Sequence, residues 1–247
     1  MEKAIKNKIE EICTYLENKY NRKFIVDRLV SDDGNPKQPN KAYAYTEGCK
    51  NEWFAVRFEM TEDTGECIYS DGYGFILAEQ VLLPDYRDWI SEDLPDGKIT
   101  IYIEGVDEVT NGNYSNDFNF EEFVKAEPDF AINVTIFAGS DLLSDKPAFF
   151  EKLSHSIDKR LKKEFCYKIN IAFTDEKSGC PDVDDYRAAS LFVLKSAKDK
   201  FVAYTKVFVV NEMSQSEIFN ELNDEFTDNM EVSLFGIKYD GGSGYNE

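Results

Sequence analysis

Few residues in this sequence could perform covalent catalysis. Histidine occurs once, as His155, and its neighbours Leu153 and Ile157 belong to an apolar stripe with a spacing of four residues. An imidazole-assisted nucleophile would have to use this residue as its base. His155 lies between two stripe residues of a helix, so its side chain points sideways or outward. The sequence also lacks the Gly-x-Ser-x-Gly turn that carries a nucleophilic serine in many hydrolases. We therefore predict a surface histidine and no enzyme active site.

Carboxylate-rich turns are a second candidate for chemistry, because hard cations such as Ca²⁺ and Mg²⁺ prefer oxygen ligands. Such a turn follows the sequence Gly-Cys-Pro and contains Asp182, Asp184 and Asp185. It lacks the twelve-residue calcium-loop pattern with its distal glutamate. The sequence favours a solvated turn, with adventitious metal binding at these three residues as the alternative.

Two glycines, Gly72 and Gly74, could suggest a phosphate-binding loop. The third glycine and the lysine of such loops are absent, and no strand–helix–strand unit is predicted around them. We expect a turn at the start of a helix at this position, and we expect no cofactor.

The cysteines do not form a recognisable metal or disulfide pattern. The five residues Cys13, Cys49, Cys67, Cys166 and Cys180 are odd in number and lack the close spacing of thiolate zinc sites. Free thiols of this kind are typical of a reducing compartment.

Aromatic residues among acidic ones form the candidate binding set. Tyrosine and tryptophan are enriched at the hot spots of protein interfaces, so this set predicts a protein-binding surface. The alternative is that several of these side chains fill the core. The set consists of Tyr43, Tyr45, Trp53, Tyr69, Tyr73, Tyr86 and Trp89.

The charge of the chain restricts its partners. Lysine and arginine number 28 against 48 aspartates and glutamates, which gives a formal net charge of −20. A field of this sign repels phosphate backbones and anionic membrane surfaces, so we expect no nucleic acid or membrane partner. It attracts basic proteins. The alternative interpretation is that the charge serves solubility alone.

The hydrophobic periodicity predicts the order helix–strand–strand–strand–helix–strand twice. In the first half, an amphipathic helix covers the first twenty residues, and Pro84 is expected to kink the second helix or to begin another there. The predicted strands are 24–30, 42–46, 53–60 and 99–103, and the second helix is 75–90.

In the second half, apolar residues at intervals of four predict a long helix from Phe149 to Phe165. Ser214 and Glu217 have the spacing of a capping box, which predicts a helix start. A strand at 131–138 and a short helix at 120–125 precede the long helix. The remaining predicted elements are strands 167–173, 189–196, 201–210 and 232–239 and a helix at 214–226.

Hairpin-length loops join most of these strands, so the pairing is predicted to be antiparallel. With 42% hydrophobic residues, the chain has ample material for a packed core. We predict an α+β fold with two similar halves whose mostly antiparallel sheets are covered by helices. The halves are 1–110 and 130–240, joined by a loop and short helix at 111–129 and followed by a flexible tail at 241–247. Internal duplication and a chance similarity of the halves are both open.

No segment reaches the roughly 18 consecutive apolar residues of a membrane helix, and the first residues lack the apolar region of a secretion signal. We therefore expect a cytoplasmic protein. A cell-envelope location is the alternative, if a native signal segment precedes this sequence.

The run from Tyr15 to Phe24 has the pattern Tyr-Leu-x-x-Lys-Tyr-x-x-x-Phe, and Asp71-Gly72-Tyr73-Gly74-Phe75 follows an aromatic-rich strand. In these segments the chain resembles uncharacterised, often lipoprotein-like α+β proteins of Gram-positive bacteria. Those proteins have no assigned activity, so the resemblance implies no functional residues. This chain differs from them in having no signal segment or lipid-attachment cysteine.

Three functions are compatible with these patterns. The first is an acidic, non-enzymatic binding protein, most concretely an immunity-type inhibitor of a basic toxin or nuclease. The second is a cell-envelope domain that binds wall polymers or partners. The third is a carboxylate- or metal-dependent hydrolase, for which 48 acidic residues leave the catalytic pair unidentified. The charge and the aromatic set favour the first.

Overall fold

A computed structural model describes residues 2–31, 39–50, 52–61, 66–94, 96–161, 165–174, 201–210 and 213–228. Four predicted features lie outside these residues: the two strands 189–196 and 232–239, the acidic turn with Asp182, Asp184 and Asp185, and the tail at 241–247.

The described residues form an α+β fold with two four-stranded sheets, which confirms the predicted fold class. The sheets have the strand orders β1-β2-β3-β4 and β5-β6-β7-β8. The helices are α1 (Glu2–Tyr20), α2 (Tyr73–Asp93), α3 (Phe120–Ala126), α4 (Lys146–Arg160) and α5 (Gln215–Asp224), with a 3-10 helix at Ser140–Asp145. The strands are β1 (Phe24–Val30), β2 (Lys41–Thr46), β3 (Phe54–Met60), β4 (Cys67–Asp71), β5 (Lys98–Gly105), β6 (Phe130–Gly139), β7 (Cys166–Thr174) and β8 (Phe201–Val209).

The chain divides into two compact units, and each unit draws on two separate stretches of sequence. The first consists of Met1–Tyr86 and Ile101–Asn133, and the second of Arg87–Thr100 and Val134–Glu247. The candidate site described below lies in the first unit.

In the first unit, α1 packs on one side of an antiparallel sheet. Its stripe residues Ile12, Leu16 and Tyr20 are fully buried, because a spacing of three to four residues places them on one helix face. The side of the sheet towards α1, here called the inner face, carries Ala42, Ala44, Phe54, Val56 and Phe58, all of them buried. The opposite side is called the outer face.

Strand β4 is the one strand of the first sheet that was not predicted from the sequence. Four strands, and not three, therefore lie between α1 and α2 along the chain. It pairs antiparallel with β3, with Val56 opposite Asp71 and Phe58 opposite Tyr69. With five residues, the strand is too short to show a clear alternation of apolar and polar side chains. Its inward positions also hold Asp71 and Tyr69 in place of aliphatic residues.

Helix α2 continues through Pro84, so the predicted start of a second helix at this position is wrong. A proline in a helix leaves the carbonyl four residues earlier without its N–H partner. That residue is Gln80, and both Gln80 and Pro84 are exposed. Water can therefore solvate the free carbonyl, which removes most of the cost.

In the second unit, α4 ends at Arg160 and not near Phe165, as the apolar spacing predicted. Leu161 has left the helical conformation, with ψ at 137°, although its N–H still donates to the Ile157 carbonyl. Phe165 is buried just before β7, so the interval of four continued by coincidence beyond the helix. Strands β7 and β8 pair antiparallel, with Ile169 opposite Val207.

The predicted capping box at the start of α5 is confirmed. The Ser214 hydroxyl accepts from the Glu217 N–H, and the Glu217 carboxylate accepts from the Ser214 N–H at 2.8 Å. We expect Ser214→Ala to lower the free energy of unfolding by about 1 kcal/mol, because it leaves a helix-start amide without its partner. Chemical denaturation measures this change. Asn220→Ala, at an exposed position inside α5, is the control and is expected to raise the stability by about 0.5 kcal/mol, because alanine has the higher helix propensity. Equal stability of the Ser214→Ala variant and the wild type would contradict the capping role.

Candidate functional site: the outer face of the first sheet

The structure separates the seven candidate aromatic residues by burial. Trp53 is 40% exposed, whereas Trp89 is 3% exposed and contributes to the core of the second unit. The other buried members are Tyr73 and Tyr86, and the half-buried members are Tyr43, Tyr45 and Tyr69.

The buried members satisfy their polar atoms inside the protein. The Tyr73 hydroxyl accepts from Arg22 at 3.1 Å and from Thr46 at 3.2 Å. The Trp89 indole N–H donates to the Ser156 hydroxyl at 2.6 Å. Buried tyrosine and tryptophan need such partners, so these contacts identify both residues as core components with a polar end.

Tyr69 lies on the inner face against α1, away from the outer face. Its hydroxyl accepts from the Lys8 ammonium at 3.3 Å and donates to Glu11 at 3.1 Å, and its ring stacks on Tyr15 at 5.0 Å. Burial, together with its hydrogen bond to Cys67, raises the pKa of Tyr69 to about 12. It therefore stays protonated and links α1 to β4.

The inner face also holds a buried carboxylate that the sequence did not reveal. Asp71 is 1% exposed, and its carboxylate accepts four hydrogen bonds. The donors are the hydroxyls of Tyr15 and Tyr20, each at 2.7 Å, the Lys19 ammonium at 2.8 Å and the Tyr73 N–H at 3.0 Å. Four donors occupy the lone pairs of a carboxylate. The arrangement is that of a structural anchor, since none of its acceptor capacity faces solvent.

Two of these donors are phenols whose ionisation is suppressed. Burial, and secondly the negative charge of Asp71, raises the pKa of Tyr15 and of Tyr20 well above the usual value. Both hydroxyls therefore remain donors at any pH at which the protein is studied. Three of the donors, Tyr15, Lys19 and Tyr20, lie 51 to 56 residues from Asp71 in sequence, so no local motif could have indicated the cluster.

A β-bulge in the edge strand β1 determines which face of the sheet carries Arg28. Val26 lies opposite Ala44 and Arg28 lies opposite Tyr43, so Asp27 is an extra residue without a partner on β2. In a regular strand, Arg28 would follow Phe24 and Val26 onto the inner face. The bulge shifts the alternation by one and turns Arg28 to the outer face, a common effect of bulges on side-chain direction.

On the outer face, the Arg28 guanidinium lies against two aromatic rings. Its Cζ atom is 4.8 Å from the centroid of Tyr43 and 4.8 Å from that of Trp53. Its Nη1 atom is 3.3 Å from the Asp27 carboxylate. The Trp53 indole N–H donates to the Lys50 carbonyl, which fixes the ring. We call Arg28, Tyr43 and Trp53 the arginine stack.

Ion pairs surround the arginine stack. Lys41 on β2 pairs with Glu108 at 2.7 Å, and Glu108 also accepts from the Tyr43 hydroxyl at 3.0 Å. Arg57 on β3 pairs with Asp107 at 2.8 Å. Arg28, Lys41 and Arg57 thus each have an acidic partner that neutralises their positive charge.

The segment that supplies Asp107 and Glu108 is held by the end of β4. The N–H and the hydroxyl of Thr110 both donate to the Asp71 carbonyl, at 3.0 and 2.9 Å. Gly72 has no room for a side chain, because a Cβ atom would overlap the Glu108 carbonyl. The glycine that could have suggested a phosphate loop therefore permits a close backbone approach.

The remaining candidates for chemistry are the histidine and possible metal ligands. His155 is exposed on α4, as its position between stripe residues predicts, with Nδ1 3.3 Å from the Gln215 side-chain oxygen. Among the residues that the structure describes, no three histidine, cysteine or acidic side chains are arranged to hold a metal ion. The same residues include no helix with the length and apolarity needed to cross a membrane.

Comparisons with known proteins leave the family open. No family model matches the sequence, and no curated protein does. The structure is similar to a crystal structure of a DUF5037 family protein from Ruminococcus gnavus ATCC 29149, with a TM-score of 0.48 and 16% sequence identity. The similarity covers 93% of this chain and 99% of that chain. The fold class rests on the helices and sheets of this chain itself.

Proposed function

We propose that this chain is a non-catalytic binding protein that holds a basic protein partner on the outer face of its first sheet, as an immunity-type inhibitor holds a toxin. The observation that carries the proposal is the arginine stack, in which an exposed tryptophan and a tyrosine hold the Arg28 guanidinium at 4.8 Å.

The composition of the arginine stack is that of an interface hot spot. Tryptophan, tyrosine and arginine are the residues that most often dominate binding energy at protein interfaces. Arg28 contacts Tyr43, Trp53 and Asp27, so its side chain is ordered before any partner arrives. Binding then loses less side-chain entropy, which favours affinity.

The electrostatics favour a basic partner. The net charge of −20 attracts cations over a distance, and ion pairs neutralise the positive charges of Arg28, Lys41 and Arg57. Tyr43 already lies near two cations, with the Lys41 ammonium 5.5 Å from its centroid in addition to Arg28. The exposed ring of Trp53 offers the same kind of surface to a partner's lysine or arginine.

Removing the tryptophan is expected to weaken binding about thirtyfold or more, the loss typical of a hot-spot residue. The experiment uses wild-type protein and Trp53→Ala as baits for lysate of the source organism at ~50 mM salt, followed by affinity measurement with the retained protein. We expect a basic protein that wild type retains and Trp53→Ala loses, with slower association at ~500 mM salt because of screening.

Phe208→Ala is the matched control. Phe208 is another exposed aromatic residue, 48% exposed on β8, and the Lys168 ammonium lies 5.9 Å from its ring. This variant is expected to retain the partner as wild type does. If Trp53→Ala and wild type retain the same proteins with the same affinity, the outer face is not the binding site.

A further inference from the structure

A groove opens in the first unit between α1 and the edge strand β1. It has a volume of about 240 Å³ and is lined by the apolar residues Ile5, Ile9, Leu29, Val30 and Pro39, together with Asp27 and Arg28. This volume is many times that of one water molecule and is smaller than a typical drug-sized pocket. The groove therefore suits a single large aliphatic side chain.

The bulge in β1 joins this groove to the arginine stack. Asp27 and Arg28 lie at its rim, and the next residue, Leu29, contributes to its wall. The alternation after the bulge places Arg28 on the outer face and Leu29 on the inner face, opposite Ala42. A polypeptide that contacts the arginine stack and continues past the edge of the sheet would cross the mouth of the groove.

The sequence leaves the apolar stripe of α1 uncovered at this point. From Ile12 to Tyr20 the stripe is buried, whereas Ile9 is half-buried and Ile5 is 39% exposed. Burial of a further aliphatic side chain against these residues removes apolar surface from water on both sides. A bound side chain would therefore cover apolar surface of Ile5 and Ile9 that the described residues of the chain leave exposed.

We propose that the groove is a second contact for the basic partner and takes one aliphatic side chain that is flanked by lysine or arginine. This inference rests on the proposed function. The aliphatic side chain fits the apolar lining, and its basic neighbours can share the Asp27 carboxylate with Arg28, because the Asp27 side chain is 34% exposed at the rim. A second copy of this chain is a poorer occupant, since two molecules with a charge of −20 repel each other.

The probe is a pair of synthetic peptides, Gly-Lys-Lys-Leu-Lys-Lys-Gly and the same peptide with alanine in place of leucine. Isothermal titration at ~50 mM salt, where surface charges are weakly screened, compares their affinities for the full chain. We expect wild type to bind the leucine peptide about tenfold or more tightly than the alanine peptide, because leucine buries more apolar surface. Ile5→Trp, which fills the groove, is expected to bring this ratio to about one.

Two further variants make the result specific. Ile25 has the same exposure as Ile5, 39%, but lies on the outer face opposite Tyr45, so Ile25→Trp is expected to leave the ratio unchanged. Trp53→Ala is expected to weaken both peptides and to preserve the ratio. Far-UV circular dichroism and melting temperature check that each variant folds.

Each alternative result overturns the inference in a recognisable way. Equal binding of the two peptides to wild type removes the groove contact, while loss of both peptides in Trp53→Ala still supports the outer face. If the ratio of the affinities for the leucine and alanine peptides stays the same in Ile5→Trp, the leucine binds outside the groove. If neither peptide binds wild type, the groove is not a site for such a segment. If wild type sediments as a dimer and Ile5→Trp as a monomer, the occupant is a second copy of the chain.

Discussion

Replacing Asp71 with asparagine is expected to lower the free energy of unfolding by about 3–5 kcal/mol, the usual cost of removing one partner from a buried ion pair. The Lys19 ammonium, 2.8 Å from the carboxylate and with only 14% of its side chain exposed, would be left without its counter-charge. The hydroxyls of Tyr15 and Tyr20 bond different oxygens of the carboxylate. Asparagine keeps only one oxygen, so one of these hydroxyls would face an amide NH2 group in place of its acceptor. Urea denaturation measures the effect.

Asp107→Asn is the matched control for this experiment. Asp107 and Arg57 are also 2.8 Å apart, but their side chains are 47% and 33% exposed. Exposed pairs contribute little, so we expect a change below about 1 kcal/mol. The double variant Lys19→Met with Asp71→Asn should recover part of the loss, because it leaves no unpaired charge. A loss for Asp71→Asn as small as that for Asp107→Asn would show that the cluster does not anchor the fold.

Glu79→Gln is expected to stabilise the protein at alkaline pH by several kcal/mol, on the order of 4, and to change its stability little at pH 4.5. Glu79 is 1% exposed in α2, and its Oε1 atom accepts from the Ile103 N–H of β5 at 3.1 Å. Burial raises the pKa of this carboxyl from the usual 4.5 to about 8, against the smaller opposing effect of that hydrogen bond. A glutamine oxygen can accept the same hydrogen bond without ever carrying a charge.

The sign of the pH dependence follows from proton binding. Below pH 4.5 the folded and unfolded states both hold the proton of Glu79. Between pH 4.5 and about 8, only the folded state holds it, so the stability of wild type falls as the pH rises. Above that range both states are ionised and the loss is complete. The Glu79→Gln variant should lack this fall.

Urea denaturation of wild type and Glu79→Gln at several pH values from 4.5 to 9 tests this expectation. Glu104→Gln is the control, because Glu104 is an exposed carboxylate on the same strand as Ile103. Its stability difference from wild type should be nearly independent of pH. A pH-independent difference between Glu79→Gln and wild type would mean that Glu79 is ionised in the folded protein.

The helices and most strands could be predicted because their apolar residues repeat with the period of the element. Ile12, Leu16 and Tyr20 mark α1 in this way, and Ile99, Ile101 and Ile103 mark β5, all of them buried. Strand β4 could not be predicted, because its inward positions are filled by polar side chains that find partners on α1. The energy that holds it comes from tertiary contacts, which local periodicity does not record.

The candidate site could be predicted only in part, for a similar reason. Tyrosine and tryptophan suit both a core and a surface, so the sequence grouped Tyr73 and Trp89 with Tyr43 and Trp53 although only the latter two hold Arg28. Arg28 itself was not selected. Its outward direction depends on the bulge at Asp27, and nothing in the pattern of β1 distinguishes the bulge from a regular strand.

The bulge has a consequence for how distant relatives of this chain would be aligned. Because Asp27 is one residue more than the pairing with β2 requires, a homologue that lacks it would still carry its arginine opposite the tyrosine of β2. Loss of Ile25, between Phe24 and Val26, would instead turn the residue at position 24 from the inner face to the outer face. A one-residue gap is therefore acceptable at Asp27 and unacceptable two positions earlier, and an alignment that penalises both equally would misplace the arginine.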